Sequence, residues 1–171
     1  NVWWEETIGK ILVTGDFFLH PEETLGDIEQ GLIGVRANEG EEVSTALVER
    51  VIREKNAHLY GIEAKDIARK AKAGNFFVLK IHEQGERIPL TIADFDRDRG
   101  TITTVFQKMG KTTHNLGTLN EGDSLMDVIG PLGIPSHIEN FGKVICVGGG
   151  VGIAPIYPIA RALKEAGNVV I

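Results

Sequence analysis

Apolar positions follow two different periods along this chain. Ile8 to Thr14 reads as a strand, broken by Gly15 and Asp16 ahead of the aromatic pair Phe17 and Phe18. Pro21 suits a first helical turn, where its missing N–H would find no partner anyway, and Glu22 and Glu23 complement the positive end of the helix dipole. Leu25, Ile28, Leu32 and Ile33 then recur at helical spacing, and Gly31 and Gly34 supply the stop. A second helix is predicted from about Glu41 to Asn56, with Val43, Leu47, Val48, Val51 and Ile52 on its buried stripe, and a shorter one begins near Glu63 and carries Ile67. Past Gly74 the pattern changes to short strand-like runs separated by Gly and Pro: Phe76 to Ile81, Leu90 to Ala93 and Thr101 to Phe106. Val128-Ile129 is the last such run before Gly130-Pro131-Leu132-Gly133, which reads as a turn. Val144 to Val147 is a buried-type strand, a helix follows through Leu163 to Ala166, and Asn168 to Ile171 starts another strand.

Composition narrows what such a chain can do. Its 171 residues suffice for one ordinary domain or two small ones. No apolar run approaches the roughly 20 residues of a membrane span, so no membrane association is expected. The acidic excess, a formal charge of −6, argues against the phosphate-neutralising surface that nucleic acid requires. A single cysteine, Cys146, excludes an internal disulfide, a zinc knuckle or an iron–sulfur cluster held by these residues alone. It fits a reducing, cytoplasmic setting and reads as a small core residue. Charge is uneven: residues 1–73 carry fourteen acidic against nine basic side chains, while residues 74–171 are nearly balanced. The seam is therefore placed near Gly74. Asn1 at one end and Ile171 inside a strand-like run at the other read as cut ends, so a fragment or a chimera is expected.

The run Thr14-Gly15-Asp16-Phe17-Phe18-Leu19-His20-Pro21-Glu22-Glu23 resembles the accessory domain of lipoate-protein ligases. The resemblance covers roughly residues 8–72 and includes Ile28-Glu29 and the Asp66-Ile67-Ala68 helix. It implies a non-catalytic subunit that helps a lipoate-ligase catalytic domain to form lipoyl-adenylate. Taken alone, His20 is a turn residue and Phe17-Phe18 a core pair.

Three segments of the second half have the residue types of a flavin site. In Arg87-Ile88-Pro89-Leu90-Thr91-Ile92 the two-residue strand period places Arg87, Pro89 and Thr91 on one face, where a guanidinium can make charge-assisted hydrogen bonds to phosphate. Gly110-Lys111-Thr112-Thr113 precedes a predicted helix whose free N–H groups face an anion. It is not a P-loop, because Val105 stands where that motif needs its first glycine. The third segment is Gly130 to Gly133. Singly, an Arg/Thr strand is usually an edge strand and a Gly-Lys-Thr-Thr turn usually a helix cap; their order is what points to flavin.

Near the end, strand, Gly148-Gly149-Gly150-Val151-Gly152-Ile153-Ala154-Pro155 and helix form the start of a nucleotide-binding βαβ unit. Pro155 stands where the dinucleotide fingerprint has glycine or alanine, so the plain pattern fails by one residue.

From Lys70 onward these segments, with Gly85-Glu86 ahead of Arg87, Gly117-Thr118-Leu119 and Gly122-Asp123, resemble the ferredoxin-NADP reductase superfamily. More narrowly they resemble the small FAD/NAD-binding subunit of NADH-dependent ferredoxin:NADP oxidoreductase, the sulfide dehydrogenase type. The resemblance implies that Arg87, with Pro89, Leu90 and Thr91, meets FAD, and that Gly110, Thr112 and Thr113 cradle its pyrophosphate. Gly149, Gly150, Gly152, Ile153, Ala154 and Pro155 would face NAD or NADP. The implied chemistry is hydride transfer to the flavin and single-electron transfer to an iron–sulfur flavoprotein large subunit or a ferredoxin. The family's opening strand hairpin and its cluster-binding cysteines are not found here.

The expected architecture is an α+β N-terminal domain (1–73), a partial antiparallel FAD-binding β-barrel of ferredoxin-reductase type (74–142) and the start of an α/β NAD(P)-binding unit (143–171). Its expected function is that of a flavin-dependent NAD(P)H oxidoreductase subunit, the alternative being the lipoate-ligase accessory role. The sheet edge left by the absent strands predicts a homodimer or aggregation.

Overall fold

The structure, a computed structural model, describes Arg50, Ile52, Arg53 and residues 56–171. The expectations for the strand at 8–14, the helix after Pro21 and the environment of His20 and Phe17-Phe18 lie outside the described residues. Of the second predicted helix, Arg50, Ile52 and Arg53 are helical, and Asn56 turns the chain out of it with φ of 49°.

Among the described residues, six strands build two antiparallel sheets. Strand β1 (His58–Glu63) pairs with β5 (Thr101–Phe106), which also pairs with β4 (Asp94–Asp96). In the other sheet β2 (Phe76–Lys80) lies between β3 (Ile88–Thr91) and β6 (Asp127–Leu132). Alternation decides which side chains turn inward: Phe77 and Leu79 on β2, and Ile102, Thr104 and Phe106 on β5, are buried while their neighbours are not. Each of these large apolar side chains contributes roughly 1.5–3 kcal/mol through burial. The chain crosses from one sheet to the other between β3 and β4, through the buried Ile92 and Ala93, and the Thr104 hydroxyl donates to the Thr91 carbonyl at 3.0 Å to fasten that crossing. Among the described residues the sheets do not close into a barrel.

Helix α1 (Lys65–Lys70) fills the seam between the sheets. Ile67, Ala68 and Ala71 are buried in the core with Phe77, Ile102 and Leu116, and the small alanines let the helix approach closely. Asp66 in its first turn and Arg69 and Lys70 in its last complement the dipole. The helix stops at a loop held by Asn75, whose Oδ1 accepts from the Lys72 N–H at 2.9 Å and whose Nδ2 donates to the carbonyls of Leu132 and Gly133 at 3.1 Å. A second short helix, α2 (Lys111–Leu116), follows β5 and buries Leu116 in the same core.

This arrangement corrects three expectations. The core is continuous across Gly74, because β1 and α1, both ahead of it, pack with the strands that follow. Part of the strand material expected to be absent is present as β1, in the stretch between the two predicted helices to which the sequence pattern assigns no element. Gly130-Pro131-Leu132 is not a turn but the end of β6, accommodated by a register shift opposite Phe76–Val78 and a cis peptide bond before Pro131. β6 is an edge of its sheet, and Pro131 on it has no N–H to offer a further strand.

The last part holds β7 (Lys143–Val144), a single 3₁₀ turn at Gly150–Gly152, helix α3 (Ile153–Glu165) and β8 (Val169–Val170). Strands β7 and β8 run parallel, and their ladder continues to the Cys146 N–H, which donates to the Ile171 carbonyl at 2.8 Å. The regular strand is shorter than expected, and Ile145 and Val147 beyond it are exposed, Val147 by 79%. Asn168, buried beneath it, donates to the carbonyls of Glu139 and Leu163 and accepts from the Phe141 N–H.

Candidate flavin and nucleotide site

Strand β3 presents the expected face. Ile88 and Leu90 pack against the core, so Arg87 and Pro89, both exposed, and the half-buried Thr91 point the other way. β3 is an edge of its sheet, where a proline costs no ladder bond. Leu90 can therefore meet a ligand only through its backbone. The Arg87 guanidinium is half exposed and paired with Asp127 on β6, a partner the sequence did not announce.

The Gly110 segment folds as the cap of α2. Thr113 Oγ1 accepts from the N–H groups of Met109 and Gly110 at 3.0 Å each and donates to the Gly110 carbonyl, so its hydroxyl is committed to the cap. Thr112 points elsewhere: its hydroxyl donates to Glu86 Oε2 at 3.2 Å, bridging 26 residues of sequence to the neighbour of Arg87. Two separately expected phosphate-binding segments are thereby brought side by side. Nothing within 4 Å would meet a Cβ at Gly110, which leaves its backbone open to close approach. The Arg87 guanidinium and the Thr112 hydroxyl are donors that fit an FAD pyrophosphate, and Gly110, whose own N–H is held by Thr113, adds open space beside them. Glu86 and Asp127 are the partners of these two donors.

The glycine turn after β7 divides its residues by role. A Cβ at Gly148 would lie 3.1 Å from Ile153 Cα and 3.3 Å from its nitrogen, a tight contact with backbone that glycine avoids where the turn closes onto α3. Gly150 adopts φ of +55°, and a Cβ at Gly149, Gly150 or Gly152 would meet nothing within 4 Å. That open glycine surface suits a nucleotide. Ile153 and Ala154 are buried beneath it, so their side chains are core, and Pro155 brings no N–H. No hydrogen bond or ion pair among the described residues joins this turn to Arg87 or to α2.

Instead, α3 is tied to the sheets by a pair that the sequence pattern does not reveal. Arg161 on α3 donates to Asp94 Oδ1 on β4 at 2.7 Å, and its guanidinium carbon lies 5.9 Å from the Phe95 ring centre and 5.5 Å from that of Tyr157. The hydrogen bond to Asp94 raises the already high Arg161 pKa, outweighing the opposing effect of burial. A cleft of about 400 Å³ bounded by Glu63, Ala64, Lys65, Asp66, Ile67 and Val128 contains none of the expected site residues.

No known family profile matches the chain. It is 54% identical over 109 residues to the dihydroorotate dehydrogenase B (NAD(+)) electron transfer subunit homolog of Thermotoga maritima, covering 64% of this chain and 39% of that protein. With the dihydroorotate dehydrogenase B (NAD(+)) electron transfer subunit of Geobacillus thermodenitrificans it shares 31% identity over 138 residues, covering 77% of this chain and 53% of the relative. The solved structure of an NADH-dependent reduced ferredoxin-NADP oxidoreductase, studied for flavin-based electron bifurcation, superposes with a TM-score of 0.66 and 52% identity over 67% of this chain and 41% of that one. The chain thus spans about two fifths to one half of the proteins it matches. Its fold is similar to that of a ferredoxin-reductase-type structure. The Geobacillus similarity takes in more of the chain than residues 70–171 contain, so it reaches back into the segment compared with lipoate-ligase accessory domains. None of these relatives is a lipoate ligase, and Asp66-Ile67-Ala68, which carried part of that resemblance, belongs to α1 within the sheet core.

Proposed function

We propose that residues 58–171 are the flavin- and nicotinamide-binding part of an electron-transfer subunit. The observation that carries this reading is the meeting of Arg87 and the Gly110–Thr113 cap through the Thr112–Glu86 hydrogen bond, beside the outward face of β3. Similarity to named electron transfer subunits supports it. Bound there, FAD would supply hydride acceptance from NADH or NADPH and one-electron delivery to an iron–sulfur flavoprotein or ferredoxin. The chain's own residues would do the rest. Arg87 and the Thr112 hydroxyl hold the pyrophosphate, Pro89 and Thr91 lie along the flavin, and Gly149–Gly152 give the nucleotide an open backbone surface. The two strand-edge carboxylates, Glu86 and Asp127, keep the guanidinium and hydroxyl oriented until phosphate displaces them.

The test is optical. Purified protein, or protein mixed with FAD, should show bound-flavin absorbance, and Arg87→Ala should lose it while keeping its far-ultraviolet circular dichroism. Protein that takes up no FAD under either condition sinks the proposal.

A further inference from the structure

We infer that Arg161 and Asp94 are positioning residues, a latch that sets the nucleotide turn against the flavin-bearing strand. The inference rests on the function proposed above and assigns to it residues outside both expected binding segments. Asp94 stands three residues beyond Thr91, and only the buried Ile92 and Ala93 separate β3 from β4. Asp94 is therefore joined to the strand face carrying Thr91 by two buried residues, with the Thr91 carbonyl held by the Thr104 hydroxyl. Arg161 lies eight residues into the helix that opens at Ile153, two turns or about 12 Å from the glycine turn. One ion pair thus connects the element that would hold the flavin with the element that would hold the nicotinamide nucleotide.

The surroundings of the pair favour geometry over mere attraction. Asp94 Oδ1 accepts both from Arg161 at 2.7 Å and from the Phe95 N–H at 2.7 Å, which fixes the carboxylate on its own strand. Phe95 offers its ring to Arg161 and also to Arg97, whose guanidinium carbon lies 4.7 Å from the ring centre and whose Nη2 donates to the Ala71 carbonyl at 2.9 Å. Ala71 follows α1, so the latch is braced against the core of the sheet region. On the other side Tyr157, one helical turn before Arg161, presents its ring at 5.5 Å. A guanidinium held by a carboxylate and two rings is confined in direction as well as distance, which lysine cannot reproduce. Both charges are about one-third exposed, so the pair contributes little to overall stability, and its value lies in placement.

The experiment compares the full chain with Arg161→Ala, Arg161→Lys, Asp94→Asn and the double variant Arg161→Ala/Asp94→Asn. Flavin content and NADH affinity are measured first, then the long-wavelength charge-transfer absorbance of the flavin–nicotinamide complex, the rate of flavin bleaching at saturating NADH, and amide hydrogen exchange in α3. The expected result is unchanged flavin content and NADH affinity, a weakened charge-transfer band, and bleaching slowed on the order of tenfold to a hundredfold, as misplacement of reacting groups produces. The double variant should be no worse than either single one, Arg161→Lys should recover only part of the band, and exchange in α3 should rise in all. Wild-type flavin binding with charge-transfer bands that are the same in every variant would overturn the latch and leave the flavin reading standing. A wild-type chain that binds no flavin would overturn both.

Discussion

Cys146 lies next to the glycine turn, with its backbone in the β7–β8 ladder and its thiol half buried. Burial raises the thiol pKa above its ordinary value, so the neutral form is favoured in the folded protein. A group bound to its proton more tightly when folded stabilises the fold up to the ordinary thiol range and loses that contribution as the pH climbs through the raised pKa. Alkylation of the native protein by iodoacetamide should therefore be slow at neutral pH, with its midpoint shifted upward relative to the unfolded chain; equal midpoints would show an unburied thiol. The apolar run around this cysteine reads as core, but the thiol is only half buried and its neighbours Ile145 and Val147 are exposed. The buried asparagines are not legible. Asn75 reaches carbonyls 57 and 58 residues away, and Asn168 ties Glu139 to Leu163, so nothing in the local pattern distinguishes them from ordinary turn residues. Asp127 and Glu86 are illegible for the same reason, since their value depends on donors brought up by the fold.

Strands and helices with a strong inward face are readable because burial follows local period: β2, β5 and α3 stand close to where Phe76 to Ile81, Thr101 to Phe106 and the run through Leu163 place them. β1 escapes that reading because Gly61 and the polar ends of His58 and Glu63 dilute its alternation, and only pairing with β5 makes it a strand. The glycine turn is readable as a motif but not as a division of labour, which gives an element-scale prediction. Gly148→Ala forces a Cβ against the backbone of Ile153 and should destabilise the protein by roughly 1–3 kcal/mol, the usual cost of overpacking. Gly149→Ala, with φ of −95° and open space around it, should melt like the parent yet bind NADH more weakly because its methyl group occupies the open face. Thermal unfolding and NADH titration separate the two effects. If Gly149→Ala binds NADH normally, the nucleotide does not lie on this turn.

At the scale of the whole molecule the decisive fact is that the core runs through the place where composition and resemblance put a seam. Of the acidic residues ahead of Gly74 that the structure describes, Glu63 and Asp66 are both exposed, and an exposed charge carries no information about what the opposite face touches. Ile67 shows the consequence: it precedes Gly74, is 7% exposed, and packs in the same cluster as Phe77, Leu79, Ile102 and Leu116. Ile67→Ala should cost about 2–5 kcal/mol, the range for removing a buried isoleucine side chain without collapse of the space it leaves. That loss should be shared by both sheets, because α1 spans them. Amide hydrogen exchange provides the measurement. In the variant, protection should fall together in α1, β2 and β5. A loss confined to residues before Gly74 would restore the seam, since two separately folded units pass no instability from one to the other.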